Sequence, residues 1–393
     1  MKHSTQRILC THTGSLPRPA DLRDALVRID QGDPPDAETF AVQVQAAVAD
    51  VVARQVAAGL DIVNDGEMSK VSYSTYVTER LSGFGGAGRS VAPPDIQDFP
   101  EWALGLGMGD VSDTIAVPAC VDDVTYANRA PLDTDLAHLR AAVRTSAPHD
   151  VFMSAASPGV VSLFLENQHY ASHDDYLHAL AAAMKVEYDA IHQAGFVLQI
   201  DCPDLAMGRH IQVPGASLEE WRRTLLLHVD ALNEATCDIP PADMRIHLCW
   251  GNYEGPHHLD VPLGDILDIV FRARPAGIAF EAANPRHEHE WQVFEDVALP
   301  DGKVLIPGVI DTTTSYVEHP ELVAQRILRF ARVVGRERVI AGTDCGFASA
   351  AAMAPIDPKI TFAKLRAMAD GAERASGELW DGRPAHTPVT LPR

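Results

Sequence analysis

Short β-branched apolar runs alternate along this chain with longer stretches whose apolar positions recur at helical spacing. The short runs read as strands buried on both faces and the long ones as amphipathic helices, the pattern of parallel βα units. Eight strands are predicted, near residues 7–15, 61–67, 150–157, 197–204, 245–251, 277–283, 304–311 and 338–346. Between them the stretches 41–60, 176–196 and 218–235 predict helices, with Gly59 and Gly195 placed to end the first two. Eight strands with intervening helices predict an α/β fold, a (β/α)8 TIM-type barrel formed by residues 1–393 as one domain. The segment from about 71 to 130 breaks the rhythm with GFGGAG and APP, and reads as an insertion after the second strand, a hairpin or a lid over the barrel mouth. From about 378 to 393 the chain reads as a polar, Pro-rich tail.

Catalytic groups of such a barrel sit where the strands end, because all eight βα loops converge on that face. The predicted strand ends carry Ser15, Asp65 and Glu67, Asp201 and Asp204, His247 and Cys249, Glu281, Asp311, and Asp344 with Cys345. His247 and Cys249 are two apart in IHLCW, so both point to one face of their strand. Taken alone, that pair reads first as a hydrogen-bonded core histidine and a buried thiol. With Glu281 and Cys345 at matching rim positions, the four make a zinc site of two thiolates, an imidazole and a carboxylate. So anionic a shell is a poor activator of water but leaves a bound thiolate nucleophilic, and Glu281, the hard oxygen donor, is the ligand expected to give way to a substrate thiol.

Composition narrows the remaining classes. Of 393 residues, 46% are hydrophobic and only 6% aromatic, the profile of an α/β enzyme. Against 32 Lys and Arg stand 54 Asp and Glu, a net charge of -22 that disfavours nucleic acid and anionic membranes as partners. No run reaches the roughly 18 apolar residues of a membrane span, and the first residues lack a signal core, so a cytoplasmic location is expected. Six cysteines are too sparse for a disulfide scaffold. Assembly into a homo-oligomer stays open.

IHLCW, FEAA and GTDCGF resemble the zinc-binding motifs of the catalytic barrel of the cobalamin-independent methionine synthase family. THTGSLPRP, NDGEMSK and QIDCPDLAMG match further segments of that family in order, so the resemblance spans about residues 8–350. It implies that His247, Cys249, Glu281 and Cys345 bind Zn2+ and carry the chemistry, that Glu67 and Asp201 hold the ammonium of an aminothiol, and that Ser15 meets its carboxylate. It further implies small-molecule partners: a thiol acceptor such as homocysteine and a methyl or other alkyl donor of the 5-methyltetrahydrofolate type. From the residues alone, Glu67 and Asp201 also read as structural ion-pair or cap residues.

The chain departs from the family in instructive places. Thr313 stands where a histidine of a DIHSP-type segment is expected, leaving His12, Asp311 and His210 as candidate acids. Cys202 replaces a glutamate and reads as a buried thiol, and Phe164, Tyr170 and His169 are candidates for a flat donor platform. Longer family members carry an additional N-terminal barrel, for which this chain has no room. A single-barrel relative, epoxyalkane:coenzyme M transferase, offers another reading, in which Arg18, Lys70, Arg80 or Arg209 meets a sulfonate. A third is a non-catalytic zinc or thiol-binding barrel. HEHEW at 287–291 reads as a solvated loop or helix start.

Overall fold

The computed structural model describes residues 1–89, 93–105, 117–352 and 356–382. Nine short strands follow in order: β1 (Ile62–Val63), β2 (Phe84–Gly85), β3 (Ala119–Cys120), β4 (Asp150–Ala156), β5 (Val197–Asp201), β6 (Met244–Leu248), β7 (Gly277–Phe280), β8 (Val304–Ile310) and β9 (Gly342–Thr343). β2 and β3 pair as an antiparallel ribbon within the insertion. The other seven form one parallel sheet in the order β1-β4-β5-β6-β7-β8-β9.

The chain's first extended segment joins the two edges of that sheet. Cys10 bridges Ala341 in parallel; the Thr11 N–H donates to the Ala341 carbonyl at 2.9 Å, and the Asp61 and Ile62 N–H groups donate to the Cys10 carbonyl at 3.0 and 3.1 Å. This segment is the eighth stave, and with it every predicted strand takes its place in a TIM-type barrel. Parallel strands covered on both faces have no solvated side, which is why they read as unbroken apolar runs.

The predicted helices form at Ala37–Ala57, His173–Gln193 and Leu218–Ala235. Asp36 and Ser172 cap the first two, and Ser217 with Glu220 makes a reciprocal capping box on the third. Gly59 and Gly195 adopt φ of 95° and 85°, the left-handed turn that lets each helix stop. Inside the barrel, Leu9, Ile62, Phe152, Val197, Ala279 and Ile340 belong to an apolar plug. Two residues further along their strands, on the same face, Gln199 follows Val197 and begins a polar layer; Asp201 and His247 form the rim above it.

Within the insertion, Asp95 lies in the first turn of a short helix, Pro94–Gln97, and accepts hydrogen bonds from the Tyr253 hydroxyl at 2.8 Å and the His257 N–H at 2.9 Å. The insertion therefore docks on the loop that follows β6. A long helix, Pro358–Asp381, takes in the first residues of the expected tail; residues 383–393 lie outside the described residues. No helix among the described residues is long and apolar enough to cross a membrane.

Gly308 on β8 lies beneath Asp344: a methyl there would fall 2.0 Å from the Asp344 carboxylate and 2.7 Å from its backbone. Gly308→Ala is expected to lower stability by about 1–3 kcal/mol in urea unfolding. Gly264→Ala, whose methyl would meet only Val293 at 3.6 Å, should leave the midpoint nearly unchanged.

Candidate metal centre

His247 and Cys249 leave the end of β6, and Cys345 follows β9 across the barrel mouth. The two sulfurs lie 3.5 Å apart as free thiols, and with a ring nitrogen of His247 they form a group whose ligand atoms are all within 4.8 Å of one another. His247 is 3% exposed, and neither ring nitrogen has a hydrogen-bond partner among the described residues. Burial, seconded by the charge of Arg245 and opposed by the Ala279 backbone, which lies close without meeting hydrogen-bond geometry, pushes its imidazole down to about 3, so it is a neutral donor. An orphaned buried imidazole costs on the order of 1–3 kcal/mol, and a divalent metal between it and two thiols removes that cost. The donor set thus fits a soft or borderline metal ion.

Glu281 stands beside this group without belonging to its tight core. Its Oε1 accepts from the Trp250 N–H at 2.7 Å and its Oε2 from the Asn284 amide at 2.8 Å. Burial and the neighbouring Cys249 push its carboxyl well up, opposed by His287. Against burial, His287 is itself held up at about 10 by Asp260 and Glu290, at 3.1 and 3.2 Å; its ring stacks on Trp250 at 4.2 Å. The expectation that HEHEW is solvated thus fails for His287 and Glu290, both buried behind Glu281. Asp344, next to Cys345, accepts the N–H groups of Ala282, Ala283 and Asn284, each at 2.8 Å. That grip fixes the loop after Glu281 relative to Cys345.

Asp201 is the register partner of His247 across β5 and β6. Its Oδ1 accepts from the Gln199 amide at 2.8 Å, and that amide is oriented because Gln199 Oε1 takes a hydrogen bond from Arg245 at 2.8 Å. Burial and the charge of Glu67 push Asp201 up to about 8. Glu67 has φ of 57°, unusual for a residue with a side chain. Its Oε1 accepts from Ser154 at 2.7 Å, whereas buried Oε2 has no partner among the described residues. Ser15 is held against the loop after Cys345: its carbonyl accepts from the Phe347 N–H at 2.8 Å and its hydroxyl oxygen from the Ala348 N–H at 3.3 Å.

Tyr73 is a rim residue that the strand-end rule does not find, because it comes from the insertion. The segment carrying it bridges the loop after Cys345, and its ring meets Phe164 edge-on at 6.0 Å. Burial and the charges of Cys249, Cys345, Asp201 and Asp204 push its phenol well up, so it stays protonated.

Other candidates sort by geometry. His12 is bound to Gln55 at 2.8 Å and is pushed by burial down to about 3, below the rim. Asp311 caps Thr313, with its Oδ1 2.8 Å from that backbone nitrogen. Neither ring nitrogen of His210 has a partner among the described residues. Cys202 contacts its own strand at Ile200 and lies outside the ligand group. Tyr170 and His169 pack on each other beside the exposed Asp123. Arg18 is spent on the carbonyls of Glu67, Lys70 and Ala348, Arg80 on Asp135 and Glu187, and Lys70 on the Ser154 carbonyl. Arg209 makes a long contact to the Ala216 carbonyl at 3.4 Å.

Residues 162–374 match the family described as cobalamin-independent synthase, catalytic domain. The chain is 25% identical over 367 residues to the methionine synthase of Thermococcus kodakarensis, covering 93% of each. It is 24% identical over 398 residues to the 2-hydroxypropyl-CoM lyase of Xanthobacter autotrophicus, covering 93% of this chain and 94% of that one. In fold it is similar to a B12-independent methionine synthase from a Shewanella species, solved in complex with selenomethionine, with a TM-score of 0.73 at 20% identity over 95% of this chain and 99% of that one.

His247→Ala, Cys249→Ser and Cys345→Ser are each expected to lose stoichiometric metal in elemental analysis of the purified protein. Asn284→Ala, which frees one oxygen of Glu281, should keep the metal but weaken its retention against a chelator by about tenfold or more.

Proposed function

Because this chain belongs to the family of cobalamin-independent synthase catalytic domains, we propose that it is a zinc-dependent enzyme that transfers a methyl group to the sulfur of an aminothiol such as homocysteine, from a donor of the 5-methyltetrahydrofolate type. The observation that carries this reading is the partnerless, neutral His247 imidazole grouped with two free thiols at a rim that also presents a partnerless carboxylate oxygen on Glu67. Zinc, when bound by His247, Cys249 and Cys345 with Glu281 alongside, supplies the Lewis acidity that keeps a substrate thiol deprotonated near neutral pH.

The protein's own residues do the rest. Glu67 Oε2 and the free oxygen of Asp201 receive the ammonium between them, a charge-assisted arrangement that neither group satisfies alone. Gln199, locked by Arg245, keeps the second Asp201 oxygen turned to the pocket. The Ser15 hydroxyl, whose oxygen is already an acceptor, has its own hydrogen to give to the substrate carboxylate.

A second reading, opening of an epoxide by the thiolate of coenzyme M, draws support from the similarity to the Xanthobacter lyase. It needs a cation for a sulfonate, and three of the four expected cations are already bound to protein oxygens. An aminothiol is favoured for that reason.

Zinc-edge X-ray absorption is expected to show one sulfur added to the metal shell with homocysteine and none with coenzyme M. The same spectrum with either thiol would return the site to a structural role. Glu67→Gln should weaken the aminothiol by about tenfold while leaving coenzyme M unaffected. At pH 7 the raised Asp201 carries a proton in the free enzyme, and an ammonium beside it favours the ionised form. Calorimetry in buffers of different ionisation enthalpy should therefore find about one proton fewer released on aminothiol binding by Asp201→Asn than by the unaltered chain.

A further inference from the structure

The turn that follows β6 is held at three successive residues, each by a different part of the protein. The Gly251 N–H donates to the Cys249 sulfur at 3.3 Å. The Asn252 amide donates to the Gly346 carbonyl at 2.8 Å and to the Ser349 hydroxyl at 2.7 Å, which ties the turn to the loop that carries Cys345. The Tyr253 hydroxyl donates to the Asp95 carboxylate of the insertion, 2.8 Å from each oxygen and 158 positions earlier in the chain. One candidate ligand, the loop of a second and a distant carboxylate thus meet on a single turn.

Tyr253 carries the hold at Asp95 to Gly251. One edge of its ring abuts Gly251 and the other Gly255, and a methyl on either glycine would fall 2.4 Å from it. Gly251 also has φ of 120°, a conformation that few residues with a side chain adopt. A ring in such close contact leaves the Gly251 backbone little room to turn, so the direction of its N–H depends on where the ring sits. His257 completes the grip: it stacks on Tyr253 at 4.3 Å, meets the Tyr253 carbonyl through Nε2 at 3.0 Å, and gives its backbone N–H to Asp95 at 2.9 Å. Asp95 is fully buried. Its carboxylate must therefore find donors within the protein, and this loop supplies them.

We propose that Asp95 is a positioning residue for the candidate metal centre: it holds Tyr253 so that the turn keeps the Gly251 N–H on the Cys249 sulfur and the Asn252 amide on the Cys345 loop. The proposal rests on the metal-binding reading above. An N–H directed at a thiolate draws charge from the sulfur and fixes its orientation, so losing that hydrogen bond leaves a more electron-rich and less ordered ligand. Packing accounts for the Tyr253 ring, but it does not require a buried carboxylate at position 95, where an apolar residue would avoid the cost of desolvation. Asp98 separates positioning from docking. It lies one residue past the same short helix and meets His258 at 2.9 Å, so it joins the insertion to the loop without touching the turn at Gly251–Tyr253.

The test loads the full chain with cobalt(II) and reads the sulfur-to-cobalt charge-transfer band together with metal retention against a chelator. Asp95→Ala and Tyr253→Phe are each expected to move the band to longer wavelength and to weaken retention by about tenfold. The double variant should lose no more than the larger single loss, because both changes break one connection. Asp95→Asn, which keeps an acceptor for Tyr253 and His257, should restore most of both readings, and Asp98→Ala should match the unaltered chain. A band and retention unchanged in Asp95→Ala, or equal losses in Asp98→Ala, would overturn the positioning role. Hydrogen exchange on the metal-free protein reads the turn directly, and the Gly251 amide is expected to exchange about tenfold faster in Asp95→Ala. Unchanged exchange there would defeat the positioning role while the metal reading stood, whereas no charge-transfer band in the unaltered chain would defeat the metal reading and the proposal with it.

Discussion

One carboxylate, Asp344, ties together the ends of two strands that are not neighbours in the sheet. It follows β9, yet three backbone N–H groups beyond β7 converge on it, so its side chain must reach past β8. Gly308 makes room for that crossing, since any side chain there would occupy the space of the carboxylate. Burial pushes the group up to about 7, and the amides of Ala282 and Ala283 work in the opposite direction by favouring the charged form. Cys345 and the Glu281 loop share this anchor, and the geometry of the candidate metal site is no more exact than the anchor allows.

The rim concentrates carboxyl groups, and burial opposes their ionisation. Asp65, Asp201, Glu281 and Asp344 are all pushed up by burial, and Glu67 holds a left-handed conformation of the kind that costs on the order of 1–3 kcal/mol. Such an arrangement persists when neighbouring structure over-determines it. Arg18 supplies that here by holding the Glu67 and Lys70 carbonyls on one side and the Ala348 carbonyl on the other. Its two terminal nitrogens are taken by those carbonyls, and burial pulls it down while the charges of Glu67 and Asp65 act to raise it.

The barrel and the grouping of His247, Cys249 and Cys345 were legible because each depends on local sequence. An unbroken apolar run marks a strand buried on both faces, and the residues just after it fall at the mouth whatever the rest of the chain does. The first stave shows the limit of that rule: RILCTHTGS reads as a full strand, but around Cys10 it makes only an isolated bridge and a few hydrogen bonds. Tyr73, Asn284 and His287 were not legible, since each acts through residues distant in sequence or on another loop. HEHEW illustrates the reason. Alternating His and Glu suits solvent equally well, and only the packing of Trp250 over His287 and the placement of Asp260 bring it inside.

Distance from the candidate metal centre does not make the polar barrel interior passive. Arg245 is fully buried with its guanidinium 3.6 Å above the Phe152 ring, and it bonds to Thr11, the His12 carbonyl and Gln199. Burial pulls it down to about 9, with the charge of Asp201 acting to raise it. The Gln199 amide has one orientation compatible with this donor, oxygen toward Arg245 and nitrogen toward Asp201 and the Thr13 carbonyl. A charged group below the rim thereby sets the direction of a neutral amide, and that amide engages one oxygen of Asp201. Replacing Arg245 by an apolar residue would leave Gln199 free to turn, so the rim around Asp201 would lose definition even though no rim residue had changed.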